Sequence, residues 1–209
     1  MNQKTVFISG GAGGLGRATS HYLAERDWHV FAGFHQNGLD GLQGNANITP
    51  VYIDVRDASS VHAAVEKIKE YTDGLDAVVN FAGILAIGSA IELQEATFQR
   101  VLDINVMGTF RVNQACFPLL KRRKGRIINI SSETGWHSGG PFNSAYASSK
   151  HAIEAYTDSL RREMALLDMA VIKLQPGPFK TNMVTGIESQ FKQAINDSSE
   201  FKDVLQNLK

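Results

Sequence analysis

One stretch of the chain holds residues whose types and spacing suit proton transfer. Ser131 and Ser132 close an apolar run, and Tyr146 and Lys150 follow, four positions apart. On a helix those two would share one face, a turn apart. A phenol is a poor base at neutral pH, with an ordinary pKa of about 10. A neighbouring ammonium favours the phenolate, so the spacing predicts that Lys150 lowers the pKa of Tyr146. Such a tyrosine can serve as a general acid or base. The competing reading is a surface helix carrying an ordinary Tyr and Lys, and the upstream segments bear on the choice.

Positioning these groups requires a scaffold, and the chain punctuates itself accordingly. Residues 5–9 (TVFIS) form a short apolar run that stops at Gly10-Gly11-Ala12-Gly13-Gly14-Leu15-Gly16, and a helical stretch over 17–26 follows. Strand, glycine turn and helix together are the context in which a glycine loop binds a dinucleotide. Glycines let the backbone approach a pyrophosphate, and the helix start offers free N–H groups and a positive dipole end. A flexible glycine turn is the alternative. Further strands are predicted at 28–34, 51–54, 75–80, 126–131 and 170–175, with helices over 58–71, 96–120 and 144–167 between them. Alternation of this kind predicts an α/β fold: a Rossmann-type doubly wound parallel sheet in three α/β/α layers, joined by right-handed crossovers.

The second strand ends at His35-Gln36-Asn37, with no acid before Asp40. In dinucleotide folds an acid there binds the adenine ribose 2′-hydroxyl and selects NAD. Its absence favours NADP(H), with NAD(H) the alternative; no Arg or Lys adjoins His35, and Arg17 could equally point to solvent. Asp54 stands at a strand's C-terminal end, where it could receive the adenine amino group or serve as a turn residue. Small residues in Asn80-Phe81-Ala82-Gly83 would let a sugar lie against the backbone, and Asn105 interrupts a long apolar-periodic helix.

The 209 residues, 43% hydrophobic and 20% charged, suit one folded domain. A formal net charge of zero gives no electrostatic support to a nucleic-acid or membrane-surface role. Cys116 is the only cysteine, which rules out an intrachain disulfide and a cysteine metal cluster. No signal peptide or membrane span is read in the chain, so a cytoplasmic protein is expected.

Taken in order, the motifs resemble the short-chain dehydrogenase/reductase family over roughly residues 4–181. Gly10, Gly14 and Gly16 match its TGxxxGxG, with Ser9 for Thr, and Asp54 matches its adenine-contacting Asp. Asn80-Phe81-Ala82-Gly83 matches NNAG with Phe81 for the second Asn, and Pro176, Gly177 and Thr181 match PGxxxT. Asn105, Ser132, Tyr146 and Lys150 match its catalytic tetrad. The resemblance implies an NAD(P)-dependent oxidoreductase interconverting a ketone or aldehyde and an alcohol, with Tyr146 as acid/base. Ser132 would bond the reacting oxygen, Lys150 would lower the Tyr146 pKa and hold the nicotinamide ribose, and Asn105 would hold a relay water. Its implied cofactor contacts are Gly10, Gly13, Gly14, Leu15, Gly16, His35, Asp54, Val55, Asn80, Ala82, Gly83, Tyr146, Lys150, Pro176, Gly177, Phe179 and Thr181. Leu85, Trp136 and Phe142 are expected to line an apolar pocket for a lipophilic substrate. A homo-oligomer is expected, with Phe98, Phe110, Phe117 and Tyr156 on the partner face or on the face against the sheet. After Thr181 the sequence predicts one helical stretch over 188–208 and no closing edge strand, which would leave the pocket more open. A non-catalytic dinucleotide sensor on the same scaffold is the alternative function.

Overall fold

In a computed structural model, residues 3–36, 39 and 41–207 are described. Six parallel strands form one sheet: β1 (Lys4–Ser9), β2 (Trp28–Phe34), β3 (Ile48–Tyr52), β4 (Ala77–Asn80), β5 (Arg126–Ile130) and β6 (Val171–Leu174). Their order is β3-β2-β1-β4-β5-β6. The chain therefore runs outward from β1 to one edge, returns to β4, and runs out to the other. This reversal makes the crevice above the C-terminal ends of β1 and β4 the place where ligands bind in such sheets.

Side-chain alternation along β1 explains the layers. Phe7 joins Phe31, Val78 and Ile127 beneath α2 (Ala58–Lys69), α4 (Gly108–Arg123) and the inner side of α5 (Ser144–Ala165). Val6 and Ile8 face the other way, with Val30, Ala32 and Val79, and pack near Ala24 of α1 (Gly14–Ala24). Cys116 is fully buried in the first of these clusters, and burial pushes its thiol up to about 12.

Three elements differ from their predicted form. β3 begins at Ile48, before Pro50, and ends at Tyr52. Proline has no N–H to give a second neighbour, and an edge strand needs none. The long helix runs through α3 (Glu95–Leu102) and α4, joined by a turn of π-helix at Asp103–Met107 that contains Asn105. The tail is three short helices, α6 (Asn182–Thr185), α7 (Ile187–Asp197) and α8 (Lys202–Asn207). Its anchor is Glu92, whose carboxylate accepts from the Ser198 hydroxyl at 2.6 Å and from the backbone N–H groups of Ser199 and Glu200 at 2.9 Å.

Candidate active site

The glycine loop comes first because β1 delivers it. Gly10 has φ +71°, and a Cβ there would lie 2.7 Å from the Ala82 nitrogen. A Cβ on Gly16 would run into the Gly10 carbonyl, and one on Gly14 would lie 2.8 Å from Thr181 Cγ2. Three loops thus meet at a spot that only glycines can occupy: the turn after β1, the segment after β4 and the segment after β6. Gly13 caps α1 without a side chain, so the helix start opens directly onto the cleft. Bare backbone beside a helix N-terminus is a fitting cradle for a pyrophosphate.

A cleft of about 810 Å³ runs from this loop across the C-terminal edge of the sheet. Gly10, Gly13, Gly14, Leu15 and Gly16 form its floor, with Ala82 and Gly83 beside them. His35, Asp54 and Val55 line one end. Ser132, Tyr146 and Lys150 line the other, together with Pro176, Gly177, Phe179 and Thr181.

β5 and α5 bring the proton-transfer groups together. Ser132 caps the short 3₁₀ turn Glu133–Gly135, accepting from the Thr134 N–H at 3.2 Å. The Ser132 hydroxyl and the Tyr146 phenol line the same end of the cleft, close enough for the hydroxyl to favour the phenolate. Ser131 turns the other way, toward the Lys150 carbonyl and Glu154. That orientation separates the two serines. Lys150 donates to the Ile130 carbonyl at 2.8 Å, and its ammonium stands 5.5 Å from the Tyr146 ring centroid.

The electrostatics differ from expectation. Burial pushes the Tyr146 phenol above its ordinary value, the Ser132 hydroxyl pulls against that, and the Glu133 carboxylate pushes the same way as burial. The Lys150 ammonium engages the β5 backbone, and burial brings its own pKa down to about 8.

Asn105 is likewise engaged. Its amide nitrogen donates to the Ile84 carbonyl and to Ser149 Oγ, each at 2.9 Å, and its Oδ1 accepts from the Ile84 N–H at 2.8 Å. Both amide protons are used, so the side chain acts as a clamp on the loop after β4. Asn80 is corrected. It is 3% exposed and does not line the cleft; its amide nitrogen donates to Asn113 Oδ1 at 2.7 Å and Asn129 Oδ1 at 2.9 Å, inside the fold.

At the opposite end, Arg56 clasps Asp54. Its Nε and Nη2 lie 2.9 and 2.6 Å from the two carboxylate oxygens, and His35 Nε2 is 3.3 Å from Oδ2. The Arg56 hydrogen bond, against the opposing effect of burial, holds the Asp54 carboxyl at about 2. Arg56 lines the cleft, whereas Arg17 does not.

The model of the short chain dehydrogenase family matches residues 4–192. This chain belongs to that family. Among short-chain dehydrogenases it is 33% identical to mouse (Mus musculus) retinol dehydrogenase 7 over 217 residues, covering 98% of this chain and 66% of that protein. With human (Homo sapiens) retinol dehydrogenase 16 it shares 35% over 187 residues, 87% of this chain and 58% of that one. The chain thus spans about three fifths to two thirds of the length of these curated relatives. Among solved structures, an actinorhodin polyketide ketoreductase variant with NADPH superposes with a TM-score of 0.83 at 25% identity, covering 91% of this chain and 76% of that one. ElxO with NADP bound gives 0.80 at 26%, covering 99% and 90%.

The apolar side of the cleft departs from the sequence-based picture in this member of the short-chain dehydrogenase family. Leu85 lines the cleft as expected, but Trp136 is 74% exposed and outside it. Phe142 packs edge-on against Phe201 of the tail, 5.7 Å between ring centres. Ile84, Met183 and Ile187 supply the apolar wall instead. Of the aromatic residues read for a partner face, Phe98 and Phe117 pack inward, while Phe110 stays 39% exposed and stacks edge-on with Tyr156. Among the described residues no helix is long and apolar enough to cross a membrane.

Sequence reasoning missed Arg56 and Glu92. Arg56 lies two positions beyond Asp54, a spacing that allows a side-chain pair across a turn. Glu92 had no local signal, because its partners lie more than 100 residues away.

Proposed function

We propose that this chain is an NADP(H)-favouring oxidoreductase that interconverts an alcohol and a carbonyl compound, with Tyr146 as its acid/base. The observation that carries the reading is the grouping of Ser132, Tyr146 and Lys150 in the same cleft as the glycine cradle. Gly10, Gly13, Gly14 and Gly16 would hold the pyrophosphate, and Pro176, Gly177, Phe179 and Thr181 would enclose the nicotinamide end. The bound nicotinamide supplies the hydride acceptor or donor. Tyr146 takes the hydroxyl proton of an alcohol, or returns one to a carbonyl oxygen, and Ser132 donates to that same oxygen as charge develops. Lys150 places a cation beside the ribose and the phenol; its present bond to Ile130 fixes that position. Asn105 keeps the loop after β4 at the cofactor's flank.

The cofactor preference is supported by the absence of an acid at the end of β2, by Arg56 and His35 at the adenosine end, and by NADP or NADPH in the two solved structures. The apolar wall of Ile84, Leu85, Met183 and Ile187, with the retinol dehydrogenases among the relatives, supports a lipophilic alcohol or carbonyl substrate. Exposed Met107 and Phe110 on one face support a homo-oligomer, which sedimentation at micromolar concentration tests. The deciding experiment is Tyr146→Phe assayed with retinol and NADP⁺ and with a panel of neutral carbonyls and NADPH. Turnover should fall by at least about a hundredfold, at the lower end of acid–base contributions, with cofactor affinity kept. Undiminished turnover in the variant overturns the reading.

A further inference from the structure

A buried carboxylate stands behind the site, unused by the chemistry above. Glu154 lies on α5, four residues beyond Lys150 and eight beyond Tyr146, and is 9% exposed. Its Oε2 is 2.6 Å from the Lys173 ammonium of β6, and its Oε1 accepts from Gln175 Nε2 at 2.9 Å. The Ser131 hydroxyl, whose oxygen is 3.5 Å from the Lys150 carbonyl, lies beside the same carboxylate. Burial disfavours its charge, but Lys173, the neighbouring Ser131 hydroxyl and the Gln175 amide outweigh that and keep it below the usual carboxylate range.

The three partners matter for what adjoins them. Ser131 precedes Ser132, at the end of β5. Gln175 precedes Pro176 and Gly177, where the chain leaves β6 for the cleft. Gly135, at the end of the Ser132 turn, is fitted against this brace: a Cβ there would lie 2.5 Å from Ser131 Oγ and 3.1 Å from Glu154 Cγ. The group therefore joins the ends of two strands to the helix that carries Tyr146 and Lys150.

We propose that Glu154 is a positioning residue, a buried brace that holds Ser132 and the Pro176 turn in register with Tyr146. The proposal rests on the reading of Ser132 and Tyr146 as partners, but its test needs no turnover. Removing the brace releases the Ser132 loop, and the phenol loses its donor. A buried carboxylate that only stabilised the sheet edge would leave the phenol untouched.

The test follows the Tyr146 phenol by NMR of ¹³Cζ-labelled tyrosine from about pH 8 to 12.5, so that a phenol raised above its ordinary value is still titrated, its signal assigned by Tyr146→Phe. Ser132→Ala sets the reference and should move the titration up by about one pH unit, the size of one hydrogen bond to a charged group. Glu154→Leu and Ser131→Ala should each move it the same way, by no more than Ser132→Ala does. Combined with Ser132→Ala, each should add nothing. Glu154→Gln, which keeps an acceptor for Ser131, should move it less than Glu154→Leu. Ser131→Ala and Glu154→Gln carry the test alone should Glu154→Leu fail to fold. Throughout, Lys150, Glu133, Lys173 and Asp158 are the charged groups nearby, and all are kept. An unmoved phenol in Ser131→Ala and the Glu154 variants overturns the proposal, and so does a shift that adds in full to that of Ser132→Ala. Full turnover by Tyr146→Phe would overturn the enzyme reading and leave this result standing.

Discussion

Replacing Lys150 with Met should stabilise the chain at neutral pH while abolishing the proposed reaction. Burial brings the Lys150 ammonium from 10.5 down to about 8. At about 1.4 kcal/mol per pH unit, keeping that charge inside costs the folded state about 3 kcal/mol. Met removes this cost but leaves the Ile130 carbonyl without its donor, a loss of about 1–3 kcal/mol. The net gain at pH 7 is then between zero and about 2 kcal/mol, or up to about 8 °C in Tm for a chain of this size. The sign of the pH dependence follows from proton binding. Below pH 8 Lys150 is charged in both states, so the full cost is present. Between pH 8 and 10.5 the unfolded chain holds more protons than the folded one, and wild-type stability rises with pH. Urea unfolding of both proteins at pH 7, 8.5 and 10 measures the difference, in which all other titrations cancel. The advantage of Lys150→Met should be greatest at pH 7, shrink toward pH 10, and reverse there. A difference that stays flat with pH, or a variant destabilised by more than about 1 kcal/mol at pH 7, would refute the reasoning.

Arg56→Ala should weaken NADP⁺ binding about tenfold and NAD⁺ binding much less, the loss expected of one exposed guanidinium–phosphate contact; calorimetric titration with both nucleotides checks it, and equal losses would remove Arg56 from cofactor selection. Glu92→Ala should free the tail, exposing 183–201 to limited proteolysis and raising KM for an apolar alcohol while cofactor affinity holds. In the wild type, the Ser198, Ser199 and Glu200 bonds hold the Glu92 carboxyl at about 2. That stabilisation is full above about pH 4.5 and lost as pH falls through about 2, so tail cleavage by pepsin should rise steeply only at that end. Gly16→Ala should cost about 1–3 kcal/mol of stability, as overpacking does, and reduce cofactor binding, because its Cβ runs into the Gly10 carbonyl.

Legibility of the sequence depended on how local the determinants were. Strands such as β2 and the glycine loop were readable because apolar runs broken by glycine carry their signal within a few residues. β3 begins three residues before the predicted 51 and takes in Pro50, because proline argues against a strand only where both of its sides must pair. Spacing brought Tyr146 and Lys150 onto one helix face but gave no hint that Ile130 would take the ammonium. Choosing Ser132 over Ser131 needed the family pattern, and the structure supplies its physical ground: adjacent residues leaving a strand point opposite ways, one to Glu154 and the other to Tyr146. Asn80 misled for the same reason. A small polar residue at a strand's end suits a cofactor's flank, yet alternation turned it inward toward Asn113 and Asn129. Trp136 and Phe142 were read by hydrophobicity alone, and only tertiary packing decides which apolar loop residues face a cleft.

Because β1 lies in the middle of the strand order, the sheet can grow in the sequence in which the ribosome delivers it. β1, β2 and β3 can assemble as a three-stranded half by the time Tyr52 has emerged. β4 then adds to the free side of β1, β5 to β4, and β6 to β5, each finding its template already made. No strand has to be inserted between two others. The chain therefore needs no late rearrangement of hydrogen-bonded neighbours, and N-terminal segments fold first as synthesis proceeds. The cleft comes last in this order: the glycine loop waits for β4 to supply Ala82, and Tyr146 for the helix beyond β5. A nascent chain halted before residue 144 would thus carry a phosphate cradle with no acid to work beside it.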